Sequence, residues 1–192
     1  MVSNPTVKVS YTLEEAGFIV RQSLQLQGLG LKANESVSVF VGDDLPQSEK
    51  DLSSCRINST VNYYTPEEGH DNLKESTLDD VSKEVGPSVN WVSLKSHFFS
   101  VGIIADSATP FAGAKVHSYT NQNNEKAVKL LEATVAMPKG AANGNIKWFF
   151  GPNKYKLLGT IAPGFEDNIY LGLPVINLFN KYLVVNVFYF LE

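Results

Sequence analysis

Short stretches with a side-chain period of two recur along the first two thirds of this chain, and they constrain its fold more than any other feature. Val7, Val9 and Tyr11 alternate with polar residues. Between Phe18 and Leu26, Phe18, Val20, Leu24 and Leu26 alternate with Arg21, Ser23 and Gln25. Val37, Val39 and Val41 repeat the pattern, and so do Ile57, Val61 and Tyr63. Such spacing puts every second side chain on one face, the signature of a half-buried strand. Val89–Ala105 is rich in β-branched and aromatic residues and reads as one long strand or two. Lys115–Tyr119, Ala127–Met137 and Asn145–Phe150 complete about eight strand candidates. Gly42-Asp43-Asp44, Thr65-Pro66, Gly86-Pro87, Pro138-Lys139-Gly140 and Asn143-Gly144 read as turns between them. Many short strands with regular turns predict a mainly β, antiparallel sandwich.

The pattern changes after Gly151-Pro152. Asn153–Thr160 is expected to be a short helix, and Pro163-Gly164 breaks the chain. From about Pro174, a proline suited to a first helical turn, the period becomes helical. Asn177, Asn180 and Lys181 share one side of the wheel; Val175, Leu178, Phe179, Tyr182 and Leu183 spread over the apolar remainder. A transmembrane helix needs roughly 20 predominantly apolar residues. Here Asn177, Asn180, Lys181 and Asn186 interrupt the run, which predicts a helix lying on an apolar surface rather than crossing a bilayer. The expected division is 1–160 as the sandwich and 161–192 as a C-terminal helical segment.

The 192 residues carry a net charge of −4, which gives no basic footprint for nucleic acid. Seven acidic residues crowd Thr65–Val85 against Lys74 and Lys83, expected to be a solvated excursion. The single cysteine, Cys55, excludes an internal disulfide and is read as a small residue at a strand start; Arg56 beside it would lower its pKa. His70 is expected to be exposed, and His97 and His117 to lie in strands. No nucleophile elbow, phosphate loop or calcium-loop spacing occurs. Tyr63-Tyr64 is read as packing, with a sugar-stacking platform as the alternative.

Several segments, in order, resemble the YidC family of bacterial membrane protein insertases. Trp91-Val92-Ser93-Leu94-Lys95-Ser96-His97-Phe98-Phe99 is similar to a tryptophan-to-double-aromatic segment of that family. Tyr63-Tyr64 before an acidic stretch, Phe150-Gly151-Pro152-Asn153 before a leucine-bearing turn, and Leu171-Gly172 before Phe179-Asn180-Lys181 also resemble it. Tyr11-Thr12-Leu13 with Phe18-Ile19-Val20 resembles the Bacteroidetes form. The resemblance covers about Val7–Glu192. It implies a periplasmic β-super-sandwich with a C-terminal amphipathic helix at the membrane interface, from a multi-pass inner-membrane parent. It implies a non-catalytic domain, with no cofactor and no metal, that positions the membrane region and contacts the Sec components SecD, SecF and SecY. Nascent membrane proteins would meet the membrane region outside this chain. Leu173-Pro174 stands where the family carries an aromatic, and the family's N-terminal strands are expected to be missing or short here. The competing reading is a carbohydrate-binding or mutarotase-like sandwich. That chemistry would need an acid–base pair such as His97 or His117 with Glu132.

Overall fold

The computed structural model describes residues 4–15, 17–47, 49–106, 108–124, 126–141, 143–172, 180–184, 186–187 and 190. Two antiparallel sheets face each other. The strands are β1 (Thr6–Leu13), β2 (Ile19–Gln27), β3 (Ser38–Pro46), β4 (Thr60–Thr65), β5 (Gly69–Asn72), β6 (Val81–Val85), β7 (Trp91–Lys95), β8 (Phe99–Ala105), β9 (Gly113–Tyr119), β10 (Ala127–Ala136) and β11 (Asn143–Pro152). The first sheet has seven strands in the order β1-β2-β11-β8-β7-β4-β5; the second has four, β3-β10-β9-β6. Val61, Tyr63, Val92, Leu94, Ile103 and Ile146 of the wide sheet meet Val116, Leu131, Ala133 and Val135 of the narrow one. This is the expected β-sandwich; of the period-2 residues Val61 and Tyr63 lie in its core with Val37, Val39 and Val41 packed against it, whereas Val7, Val9, Tyr11, Phe18 and Ile57 are exposed.

The wide sheet has a second buried layer on its outer face. Trp91, Ile104 and Phe149 pack there against Leu158, Ile161 and Phe165. These last three come from helix α2 (Tyr155–Leu158) and the loop and 3-10 turn (Phe165–Asn168) that follow it. The Phe165 ring meets Trp91 edge-on at 4.8 Å and Phe149 at 5.5 Å. Gly102 makes room: a Cβ there would lie 2.7 Å from Phe165 Cζ. Gly164 has φ +71°, and a Cβ on it would lie 2.7 Å from the Tyr64 ring, so both backbone and space require glycine. The Trp91 indole N–H donates to the Pro163 carbonyl at 3.0 Å, so the buried ring leaves no donor unpaired.

Several expectations are corrected. Thr65–Val85 holds strands β5 and β6; Glu67, Glu68, Asp79, Asp80 and Glu84 are exposed as expected, but two of its acids find lysines. Asp71 takes Lys83 at 2.9 Å and the Tyr63 hydroxyl at 2.5 Å, and Glu75 pairs with the buried Lys95. Ile57 closes helix α1 (Leu52–Ile57) instead of opening a strand. Asp51 caps that helix, accepting from the Ser54 N–H at 3.0 Å. Cys55 is therefore helical and buried, and burial pushes its thiol up rather than down. Gly42-Asp43-Asp44 is paired strand, not turn, with Gly42 opposite Glu132 and Asp44 opposite Leu130. Val89–Ala105 resolves into β7 and β8, folded back at Ser96–Phe98.

Lys129 is a buried cation among apolar neighbours. Alternation along β10 turns it inward with Leu131, Ala133 and Val135, and it is 1% exposed. Its ammonium donates to the Ser59 and Glu75 carbonyls at 2.8 and 2.7 Å. Burial lowers its pKa from 10.5 to about 8. The unfolded chain therefore binds the extra proton between about pH 8 and 10.5, so this group's contribution to stability rises with pH across that window. The unfolding free energy of the native chain from urea titration should rise relative to that of Lys129→Met over that range, by at most about 1.4 kcal/mol per pH unit. A constant difference would contradict the burial account. Phe165→Ala should cost roughly 3–5 kcal/mol in the same assay; a loss below about 1 kcal/mol would mean the outer layer adds little.

Candidate functional site

The expected family-motif residues fall into two environments. Trp91 is fully buried under the outer layer, and Gly151 is buried in β11 with Phe149 and Phe18 against its Cα. Phe98, Phe99 and Phe150 are exposed, at 55%, 62% and 49%. They gather where the β7–β8 fold-back meets the end of β11, since Phe99 pairs with Pro152 and Val101 with Phe150. Asn153 ties this corner together, its side-chain amide donating to the Ser96 and His97 carbonyls at 2.9 and 3.2 Å. Phe98 stacks on His97 at 4.1 Å, and Phe150 on Trp148 at 6.0 Å.

Val175, Leu178 and Phe179 lie outside the described residues. Tyr182 and Leu183 sit in a single π-helical stretch, Asn180–Val184, and are 67% and 50% exposed. Two contacts tether that stretch. The Asn180 amide donates to the Leu171 carbonyl at 2.8 Å, and the Lys181 ammonium lies 5.8 Å from the Tyr155 ring centroid on α2. Tyr170, Val187 and Phe190 are also exposed. No helix among the described residues is long and apolar enough to cross a membrane.

The histidines do not behave alike. His70 is half-buried, not exposed: Nε2 meets Asn62 Oδ1 at 3.1 Å, and burial lowers its pKa. His97 lies in the fold-back, 3.1 Å from Glu49. His117 on β9 is held from both sides, by Glu132 of β10 on Nδ1 and by Asp80 on Nε2, each at 2.8 Å. The Glu132 hydrogen bond is the main reason its pKa is raised, and Asp80 adds to it. An imidazolium between two carboxylates is a clamp. Both ring nitrogens are engaged in this arrangement, Nε2 by the exposed Asp80. The hairpin register predicts the pair, because 117 and 132 are equidistant from the β9–β10 turn. Asp80 comes from the segment expected to be solvated, so its approach carried no sequence signal.

A groove of about 720 Å³ runs along the outer face of the wide sheet beside the helical layer. Arg21, Lys147, Asn90, Asn145 and Asp106 line it over an Ile104 and Ile161 floor. Arg21 and Lys147 are directly cross-strand, and each already has a partner: Glu14 at 2.7 Å and the Ile161 carbonyl. Tyr63 is core and Tyr64 stacks on Trp91 at 5.8 Å, so this pair packs the sheet and offers no open sugar platform. Among the described residues, no group of three or more His, Cys, Asp or Glu is arranged to hold a metal ion.

His117 generates a pH prediction. Its folded pKa lies above 6.5, so its stabilisation is complete below pH 6.5 and is lost as pH rises through the folded value. The stability gap between the native chain and His117→Ala should be widest near pH 6 and should shrink by roughly 1 kcal/mol towards pH 9, since solvent screens Asp80. A gap that widens with pH would overturn the clamp.

The family model for the YidC periplasmic domain matches residues 3–185. The chain is 30% identical over 194 residues to a membrane protein insertase YidC from Amoebophilus asiaticus, covering 98% of this chain and 32% of that protein. It is 32% identical over 196 residues to the protein of that name from Cytophaga hutchinsonii, covering 95% and 32%. A Bacteroides fragilis protein of that name is 27% identical over 190 residues, covering 93% and 30%. The chain thus spans about a third of the length of the curated relatives it matches.

Proposed function

Because the chain belongs to the YidC periplasmic-domain family, we propose that it is the non-catalytic periplasmic part of an inner-membrane insertase, a rigid sandwich that positions the membrane region of its parent. The observation that carries this reading is the contrast between its two C-terminal stretches. Leu158, Ile161 and Phe165 are buried and complete the outer layer of the wide sheet. Beyond them Tyr170, Tyr182, Leu183, Val187 and Phe190 are exposed at 72%, 67%, 50%, 49% and 88%. The fold is closed before these side chains are reached, so their apolar area remains available to the headgroup boundary of a bilayer. In this proposal the expected 161–192 segment leaves the sandwich only from about residue 170 onward and leads to the membrane, and Val175, Leu178 and Phe179 share the interface with Tyr182 and Leu183.

Asn180 and Lys181 suit such a helix, with amide and ammonium groups for the polar side. Proposed contacts with SecD, SecF or SecY fall to the exposed aromatic corner of Phe98, Phe99 and Phe150, since aromatic side chains are enriched in protein interfaces. Membrane protein clients belong to the membrane region in this scheme, and the sandwich itself performs no chemistry.

The test is flotation of the full chain with vesicles of phosphatidylethanolamine and phosphatidylglycerol. Tyr182→Glu with Leu183→Glu should reduce the vesicle-bound fraction at least about tenfold, each buried charge costing on the order of 1 kcal/mol or more. The β-sheet circular dichroism and the urea midpoint should not change. Unaltered flotation, or a fold lost together with binding, would contradict the proposal.

A further inference from the structure

The groove on the outer face of the wide sheet has the dimensions of a ligand site. Its volume of about 720 Å³ falls within the roughly 300–1,000 Å³ of such sites. It crosses β1, β2, β11 and β8 and ends against the loop that follows α2. Two cations stand side by side in it, since Arg21 of β2 is directly opposite Lys147 of β11. Such positions hold Cβ atoms about 4.5–5.5 Å apart, and like charges there repel. Burial first, and then the Arg21 charge, lower the Lys147 pKa. The Lys147 ammonium is anchored on the Ile161 carbonyl, at the wall of the groove. Arg21 is paired with Glu14 at 2.7 Å, but that pair is open to solvent, at 64% and 37% exposure. An exposed pair of this kind holds weakly, so a second carboxylate can take the place of Glu14.

We infer that this groove binds an extended polypeptide segment by one acidic side chain, which the segment places between Arg21 and Lys147. The carboxylate relieves the repulsion of the two cations and gains charge-assisted hydrogen bonds from both. The rest of the lining suits a main chain. Ser23, Asn90 and Asn145 line the groove, and their side chains have no partner among the described residues. Hydroxyl and amide groups both donate and accept, as a peptide's N–H and C=O groups require. A segment that crosses four strands lies over the face of the sheet. It cannot join the strand ladder and depends on such side chains instead.

The groove also sets length and polarity. Crossing from β1 to β8 spans three strand gaps of about 4.8 Å, together about 14 Å, which is some four extended residues. Ile104 and Ile161 give the segment an apolar underside. Among the described residues no aromatic ring lines the groove, so a sugar has nothing to stack on. Asp106 stands at the β8 end. The acidic side chain therefore sits at the β2–β11 end, and the β8 end takes neutral residues.

Titration calorimetry of the full chain tests this with an end-capped serine–glycine peptide that ends in one glutamate. It should bind saturably, with half-saturation at about 0.1–1 mM, and more weakly as salt is added. The same peptide ending in glutamine should bind at least about tenfold less well, and so should the glutamate peptide to Arg21→Gln. Glu14→Gln removes the competing carboxylate and should tighten binding at least about threefold. Both substitutions are at exposed side chains, so circular dichroism and urea unfolding should be unchanged. No saturable heat up to about 5 mM peptide, equal binding of the two peptides, or unchanged affinity in Glu14→Gln would overturn the inference. So would a benzophenone on Ser23→Cys that, in cells, crosslinks only within its own polypeptide.

Discussion

The packing of Phe165 onto Trp91, through the gap left by Gly102, is the interaction on which the rest of this structure depends. A sheet of seven strands cannot be covered on both faces by a sheet of four. The narrow sheet closes the inner face, and the outer face needs its own lid. The chain supplies one by folding back after β11, so that Leu158, Ile161 and Phe165 land on Trp91, Ile104 and Phe149. The Trp91–Pro163 hydrogen bond fixes the place where the lid crosses, and Gly164 lets it turn above Tyr64. Burying two large aromatic side chains with a satisfied indole N–H contributes several kcal/mol, of the order of a domain's whole margin of stability.

That arrangement has two consequences for function. Tyr170, Tyr182, Leu183, Val187 and Phe190 have no duty in the core, since the lid ends with Asn168 and Ile169. These exposed side chains can therefore serve an external surface without unfolding the sandwich. The coverage is also uneven, because the lid spans β7, β8 and β11 and leaves β1 bare. The groove beside Arg21 and Lys147 arises from that mismatch in width.

Much of this was legible in the sequence. Period-2 runs located β1, β2, the start of β3 and β4, β-rich stretches located β7–β11, and the Trp91 and Phe150-Gly151-Pro152 segments marked both the family and the two ends of the outer layer. The errors have physical causes. Asp71 and Glu75 looked solvated because a linear count does not show that Tyr63 faces Asp71 across β4–β5, that Lys83 reaches Asp71 from the other sheet, or that Lys95 reaches Glu75. Ile57 looked like strand because a six-residue helix is too short to show its own period, and the Asp51 cap was the clearer sign. Lys129 was missed although alternation with Leu131, Ala133 and Val135 pointed it inward, because a lysine is expected outside. The His117 clamp was half visible: hairpin register brings Glu132, whereas Asp80 arrives through β6, which alternation did not reveal.

Hydrogen exchange of the full chain, with and without vesicles of phosphatidylethanolamine and phosphatidylglycerol, tests the central division between a closed sandwich and a free C-terminal stretch. On this account, amides from about residue 170 onward gain protection when vesicles are present, while those of β7, β8, β11 and the 155–168 lid exchange at the same rates as before. Faster exchange in the lid upon membrane binding, or an unchanged C-terminal stretch, would contradict it.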